Sequence, residues 1–99
     1  MKNIIYADTN KYDLQNRLIL TTYGTKRDLE KYEISLVENL VLTFYMDDAD
    51  LDGGQDNLFF SGIVHFDKVN EWWVAEVDWS QIKNLSKLSA QEKRNLGIE

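Results

Sequence analysis

Hydrophobic and polar residues alternate along much of the middle of the chain. Leu40, Leu42, Phe44 and Met46 point one way and Val41, Thr43 and Tyr45 the other, which predicts a strand over 40–46. Leu58, Phe60, Gly62, Val64 and Phe66 alternate with Phe59, Ser61, Ile63 and His65 to give a second strand over 58–66. Asp67-Lys68-Val69-Asn70-Glu71 is of hairpin length, and a third strand returns over 72–79, with Trp73, Ala75, Val77 and Trp79 as its core face. Together these predict an antiparallel meander. A fourth strand is read at 17–23, where Leu18 and Leu20 alternate with Ile19 and Thr21 and Gly24 marks the end. Gly62 has no side chain to pack and suggests a bulge or bend that curls the sheet.

Helical spacing enters in two places. Thr25 and Asp28 have the form of a capping box and predict a turn of helix over 26–31. Toward the C-terminus Ile82, Leu85, Leu88 and Leu96 recur at helical intervals, Ser89 with Glu92 forms a Ser-x-x-Glu box, and Gly97 can end the turn. Short helices are therefore expected near 80–87 and 90–96. The resulting fold class is mainly β: a small antiparallel sheet of four to five strands curled toward a barrel, closed by a C-terminal helical segment over 80–99. The alternative is an α+β open sheet. Residues 1–16 show no comparable pattern and are read as a loosely ordered N-terminal segment of the same single domain.

Composition narrows the function more than the fold. The 99 residues, 43% hydrophobic and 12% aromatic, are enough for one folded core. A formal charge of -6 opposes general binding to nucleic acid or anionic membranes. The charge is uneven: residues 1–79 carry fifteen acids against seven bases, and residues 80–99 two acids against four bases. The tail is thus suited to lie against the acidic body or to meet an acidic partner. Proline and cysteine are absent, so Gly, Asn and Asp make the turns, and no disulfide or thiolate metal site is available. The apolar stretch Ile4-Ile5-Tyr6-Ala7 is far shorter than the roughly 7–15 residues of an export signal's core, and no run approaches the roughly 20 needed to span a bilayer. A cytoplasmic location is the expectation.

Chemistry concentrates in one segment. Asp47-Asp48-Ala49-Asp50-Leu51-Asp52-Gly53-Gly54-Gln55-Asp56 places five carboxylates in ten residues with no base among them. Asp48, Asp50, Asp52, the Gly54 carbonyl and Asp56 suit the oxygen ligation of a hard cation, and this spacing resembles EF-hand loops and the loops of thrombospondin type 3 repeats. The resemblance implies a weak calcium site, because Phe59 stands where an EF-hand has its bidentate Glu and the flanks read as strands. The opposing reading is a solvated acidic hairpin connection whose Asp and Gly residues supply turn geometry.

The aromatic residues offer a different chemistry. Trp72, Trp73 and Trp79 with Tyr23, Tyr32 and Tyr45 are suited to line a groove for a protein partner, and the adjacent Trp72 and Trp73 must face opposite ways on a strand. Tyr23 after a first strand, the Asp28-Leu29-Glu30 connection and the Trp72-Trp73 pair after a tight turn resemble an SH3 domain in order. The Ala-Leu-Tyr-Asp-Tyr run and the final proline of that family are missing, so the resemblance implies a small barrel and not recognition of proline-rich peptides.

Catalytic signatures are scarce. His65 is the only histidine and reads as a partly exposed structural residue, since acid–base work also needs a positioned second group. Glu76 and Asp78 share a strand face, the ordinary arrangement of outward acids. Lys83, Lys87, Lys93 and Arg94 read as a solvated helical face. No nucleophile elbow, phosphate loop or His-Glu-x-x-His pair occurs. The sequence therefore points to a non-enzymatic interaction or regulatory module with no required cofactor. Trp72, Tyr45, Asp47 and Asp56 are its expected partner contacts, and a calcium-binding module is the alternative.

Overall fold

A computed structural model describes residues 3–98. In chain order the elements are β1 (Ile4–Tyr6), β2 (Leu18–Ile19), α1 (Tyr23–Lys31), β3 (Val41–Met46), β4 (Leu58–Asp67), β5 (Trp72–Val77), β6 (Lys83–Asn84) and α2 (Ala90–Leu96). The strands lie in the order β1-β3-β4-β5-β2, with β6 pairing the start of β4 beyond the end of β5. The meander β3-β4-β5 stands as the alternation predicts. The barrel does not: β1 and β2 end the sheet on opposite sides, so the molecule is a mixed α/β fold with an open sheet and two short helices.

Alternation sorts the strands into two faces. Ile5, Leu42, Phe44, Phe60, Val64, Ala75 and Leu18 form the main core, closed by Leu29 of α1 and by Tyr32, Ile34, Leu36, Trp79 and Ile82 from connecting segments. Phe44 and Phe60 stack there at 5.5 Å. Gly62 makes no bulge, because β4 keeps unbroken register with Leu42 on one side and Val77 on the other. Its missing side chain is a packing requirement instead: a Cβ there would sit 3.1 Å from both Phe44 and Val77. The second face carries Thr43, Tyr45, Phe59, Ile63, His65 and Val74, and α2 is fixed to it by the Thr43 hydroxyl, which donates to the Leu96 carbonyl at 3.0 Å.

The N-terminal segment departs most from expectation. The sequence predicts a loosely ordered segment over 1–16, of which 1–2 lie outside the described residues, yet Ile4–Tyr6 is an edge strand paired parallel to Thr43–Tyr45, and Tyr12 bridges Leu18. The strand expected over 17–23 is cut to Leu18–Ile19, and Tyr23 opens α1. Thr25 and Asp28 do not cap that helix: Thr22 is its N-cap, and its hydroxyl meets that of Thr25 at 2.9 Å instead of a helix N–H. They face the free edge of β1 instead, where the Thr25 hydroxyl donates to the Tyr6 carbonyl at 2.6 Å and the Asp28 carboxylate accepts the Tyr6 N–H at 2.9 Å. Spaced three apart on one helical face, the two side chains satisfy the groups that a further strand would otherwise pair.

The other edge is covered as well, since Ile19 N–H donates outward to the Lys11 carbonyl at 2.8 Å. At the C-terminus the helix expected over 80–87 is replaced by two single turns of 3₁₀ helix, Trp79–Gln81 and Leu85–Lys87, on either side of β6. Asp78 causes the first by accepting from the Ser80 N–H, which ends β5 two residues before the predicted boundary. The second helix matches its sequence signals: Ser89 and Glu92 form the reciprocal capping box, and Gly97 closes α2 at φ 77°. Among the described residues no helix is long and apolar enough to cross a membrane.

Candidate interaction surface

The aspartate segment is a hairpin extension of β3 and β4. The Asp56 N–H donates to the Asp48 carbonyl at 2.9 Å, and Ala49 bridges Gln55. Asp50 folds the tip: one carboxylate oxygen accepts from the Asp52 N–H at 2.9 Å and the Gly54 N–H at 2.8 Å, while its own N–H donates to the Gly54 carbonyl. Gly53 takes φ 82°, a conformation that glycine adopts without a Cβ penalty. Leu51 stands wholly exposed at the tip.

The base of the hairpin is tied to the C-terminal segment. Asn84 donates its amide to the Asp48 carboxylate at 2.8 Å and to the Asp56 carbonyl at 2.6 Å. Ser86 gives both its N–H, at 2.9 Å, and its hydroxyl, at 2.5 Å, to the Asp56 carboxylate. These bonds, the hydroxyl first, hold the Asp56 carboxyl below its ordinary range. The C-terminal segment thus lies against the acidic body through the uncharged Asn84 and Ser86, and Lys87 adds a favourable charge near Asp56. Sequence reasoning missed Asn84 and Ser86 because their partners are 28 and 30 residues away and no local pattern signals such pairs.

The five expected ligands do not converge. Asp50 and the Gly54 carbonyl serve the turn, Asp48 and Asp56 face Asn84 and Ser86, and Asp52 makes no side-chain bond. Among the described residues no group of three or more His, Cys, Asp or Glu side chains is gathered in a way that holds a metal ion. Among the same residues none of the five carboxylates forms an ion pair with Lys or Arg.

The expected partner contacts separate into two regions. Tyr45 lies at the hairpin end, opposite Phe59, with its ring 5.6 Å from that of Tyr6. Burial first, then the nearby Asp28 charge, raises its hydroxyl pKa. Asp47 follows on the next turn of chain after Met46, exposed. Trp72 is opposite Asp67 at the other end of β4, eight residues or about 26 Å away. No single small patch includes both.

At that far end Trp72 lines a cleft of about 510 Å³ with Tyr12, Leu14 and Val69. Two Asp-capped turns form its walls: Asp13 accepts from the Gln15 N–H and Asp67 from the Val69 N–H, each at 2.9 Å. Arg17 joins them, with 2.8 Å to Asp13 and 3.0 Å to Asp67. The pairing of Trp72 and Trp73 resolves in part: Trp73 packs on Phe66 at the core side, while Trp72 faces the opposite way and is also half-buried.

His65 has partners that its isolation in sequence concealed. Its Nδ1 lies 2.8 Å from Glu38 and its Nε2 3.5 Å from Glu76. Glu38 also accepts the Phe66 N–H, so this carboxylate continues the pairing of β4 past the end of β3. The His65 contact first, and that N–H second, lower the Glu38 pKa. Glu76 and Asp78 do not pair, because Asp78 turns to Ser80. No family model, curated protein or solved structure matches the chain.

Proposed function

We propose that this domain is a non-enzymatic interaction module that docks its acidic hairpin onto a basic surface of another protein. The observation that carries the reading is a hairpin built to hold its shape while, among the described residues, none of its carboxylates forms an ion pair. A fixed set of charges loses little conformational entropy on binding, and complementary potentials accelerate the encounter. Leu51 adds an apolar contact at the tip, where a partner pocket can desolvate it. Both sheet edges are occupied, which disfavours recognition by strand addition and leaves loops and faces as the contact surfaces.

Asp47 and Asp52 are the test positions, because neither side chain supports the hairpin. Proteins captured from native lysate by the wild type are compared with those captured by an Asp47→Asn, Asp52→Asn variant and by Trp72→Ala. The reading expects basic proteins that are lost with the neutralised hairpin and with added salt, but kept with Trp72→Ala. An identical bound set for all three proteins defeats it.

A further inference from the structure

The hairpin's base is braced from outside the hairpin. Its own ladder joins Asp48 to Asp56 and Asp50 to Gly54 and continues the β3–β4 pairing that ends at Met46 and Leu58. A second set of bonds, from Lys83–Lys87, braces the hairpin base: Asn84 to Asp48 and Asp56, Ser86 to Asp56, and the Leu85 N–H to the Asn57 carbonyl at 2.9 Å.

That segment is itself anchored on both sides. Lys83 and Asn84 pair with Phe59 and Leu58. Lys83 also reaches Glu92 of α2 at 2.7 Å, and Leu88 is buried just before the capping box. α2 in turn is held to β3 through Thr43.

We infer that residues 83–87 act as a strap through which α2 sets the posture of the acidic hairpin, with Asn84 and Ser86 as positioning residues. This deepens the proposed docking function and rests on it for its biological meaning. The strap has a mechanical consequence that does not depend on any partner. Releasing Asn84 and Ser86 frees the hairpin base without changing one formal charge and without touching the main core. A partner or modification that lifts α2 then loosens the hairpin from a distance, since the connection is a continuous chain of bonded groups.

Amide hydrogen exchange in the full chain separates the two ideas. In an Asn84→Ala, Ser86→Ala variant the amides of Asp50, Gly54 and Asp56 are expected to exchange roughly tenfold faster, the effect of losing three modest side-chain hydrogen bonds. Val64 in β4 should keep its protection. Ser86→Ala alone gives a smaller local effect, and Ser86→Thr, which keeps the hydroxyl, restores protection. Unchanged hairpin exchange in the double variant, or faster exchange spread evenly over hairpin and β4, overturns the strap. If the double variant fails to fold, the Ser86→Ala and Ser86→Thr pair decides by the same criterion.

A hexalysine peptide then probes docking. Weaker binding to the double variant than to the wild type, at equal charge, supports a role for posture. If hexalysine binds both proteins equally while the exchange result holds, the strap stands as a structural device and its link to docking fails. If it binds neither, the docking reading loses its support and the strap again stands.

Discussion

The Asp28 carboxylate accepts the backbone N–H of Tyr6 at 2.9 Å, so a helix side chain stands where a further strand would bind beside β1. Asp28 is 5% exposed, and the exposed Arg27 guanidinium lies 3.0 Å from its other oxygen. Removing the carboxylate orphans a backbone donor at a covered edge. Asp28→Ala should cost about 2 kcal/mol, the usual penalty for an unsatisfied buried group. Asp28→Asn keeps an acceptor and should cost less. Urea unfolding of both variants checks the ordering; equal losses argue that charge, not acceptance, matters.

Gly24 gives a sign reversal. On an exposed helix Gly→Ala stabilises by up to about 1 kcal/mol. Here the added Cβ falls 2.4 Å from Tyr6 Cδ2, so the ring must move and Gly24→Ala should destabilise by about 1–3 kcal/mol. In a Tyr6→Ala background the same change should become neutral or favourable. A double-mutant cycle by denaturant melts measures this, and additivity would falsify the contact as the cause.

Acid should unfold the domain through identifiable groups. Glu38, Asp56, Asp67 and Glu92 have lowered pKa values, caused first by His65, the Ser86 hydroxyl, the Asn70 N–H and Lys83 respectively. A carboxyl with a depressed folded value adds stability above its unfolded value, and loses it as pH falls through the folded one. The melting temperature is therefore expected to vary little on account of these four groups near neutrality, and to fall as pH drops below the ordinary 4.5 for Glu and 3.8 for Asp. Ser86→Ala should flatten part of that fall, since it returns Asp56 toward its ordinary value. A pH series of melts for the two proteins reads the difference.

Calcium offers a separate check on the hairpin. Among the described residues the hairpin carboxylates are not gathered around one point and Asp56 gives both oxygens to Ser86, so joint ligation requires the loop to rearrange. Melting in millimolar calcium is expected to match melting without it. A site at 100 times its dissociation constant would add about 2.7 kcal/mol, an increase that thermal melts register easily.

The parts of the fold that sequence revealed are those made by neighbours. Alternation over 40–46, 58–66 and 72–79 reports a sheet with one apolar core face, and Ser89, Glu92 and Gly97 report a helix through bonds that span a few residues. Distant demands hid the rest. Thr25 and Asp28 look like a local cap because their true partner, Tyr6, lies far upstream. Gly24 resembles a strand end, although it is a helical residue that makes room for a ring. The same holds at the hairpin: its acids are plain in the sequence, but Asn84 and Ser86 become visible only when β6 meets β4.

The parallel pairing of β1 imposes an order on folding. Ile5 sits opposite Phe44, thirty-nine residues later in the chain, whereas β3 and β4 are joined by residues 47–57 and β4 and β5 by residues 68–71. Closing that long loop brings no reward until β3 has a surface to offer, so the local meander has the entropic advantage. The N-terminal strand then arrives as a latch, and α1 secures it. Substitutions at Ile5 should thus speed unfolding more than they slow folding, leaving the edge of the sheet as the first place where the native molecule comes apart.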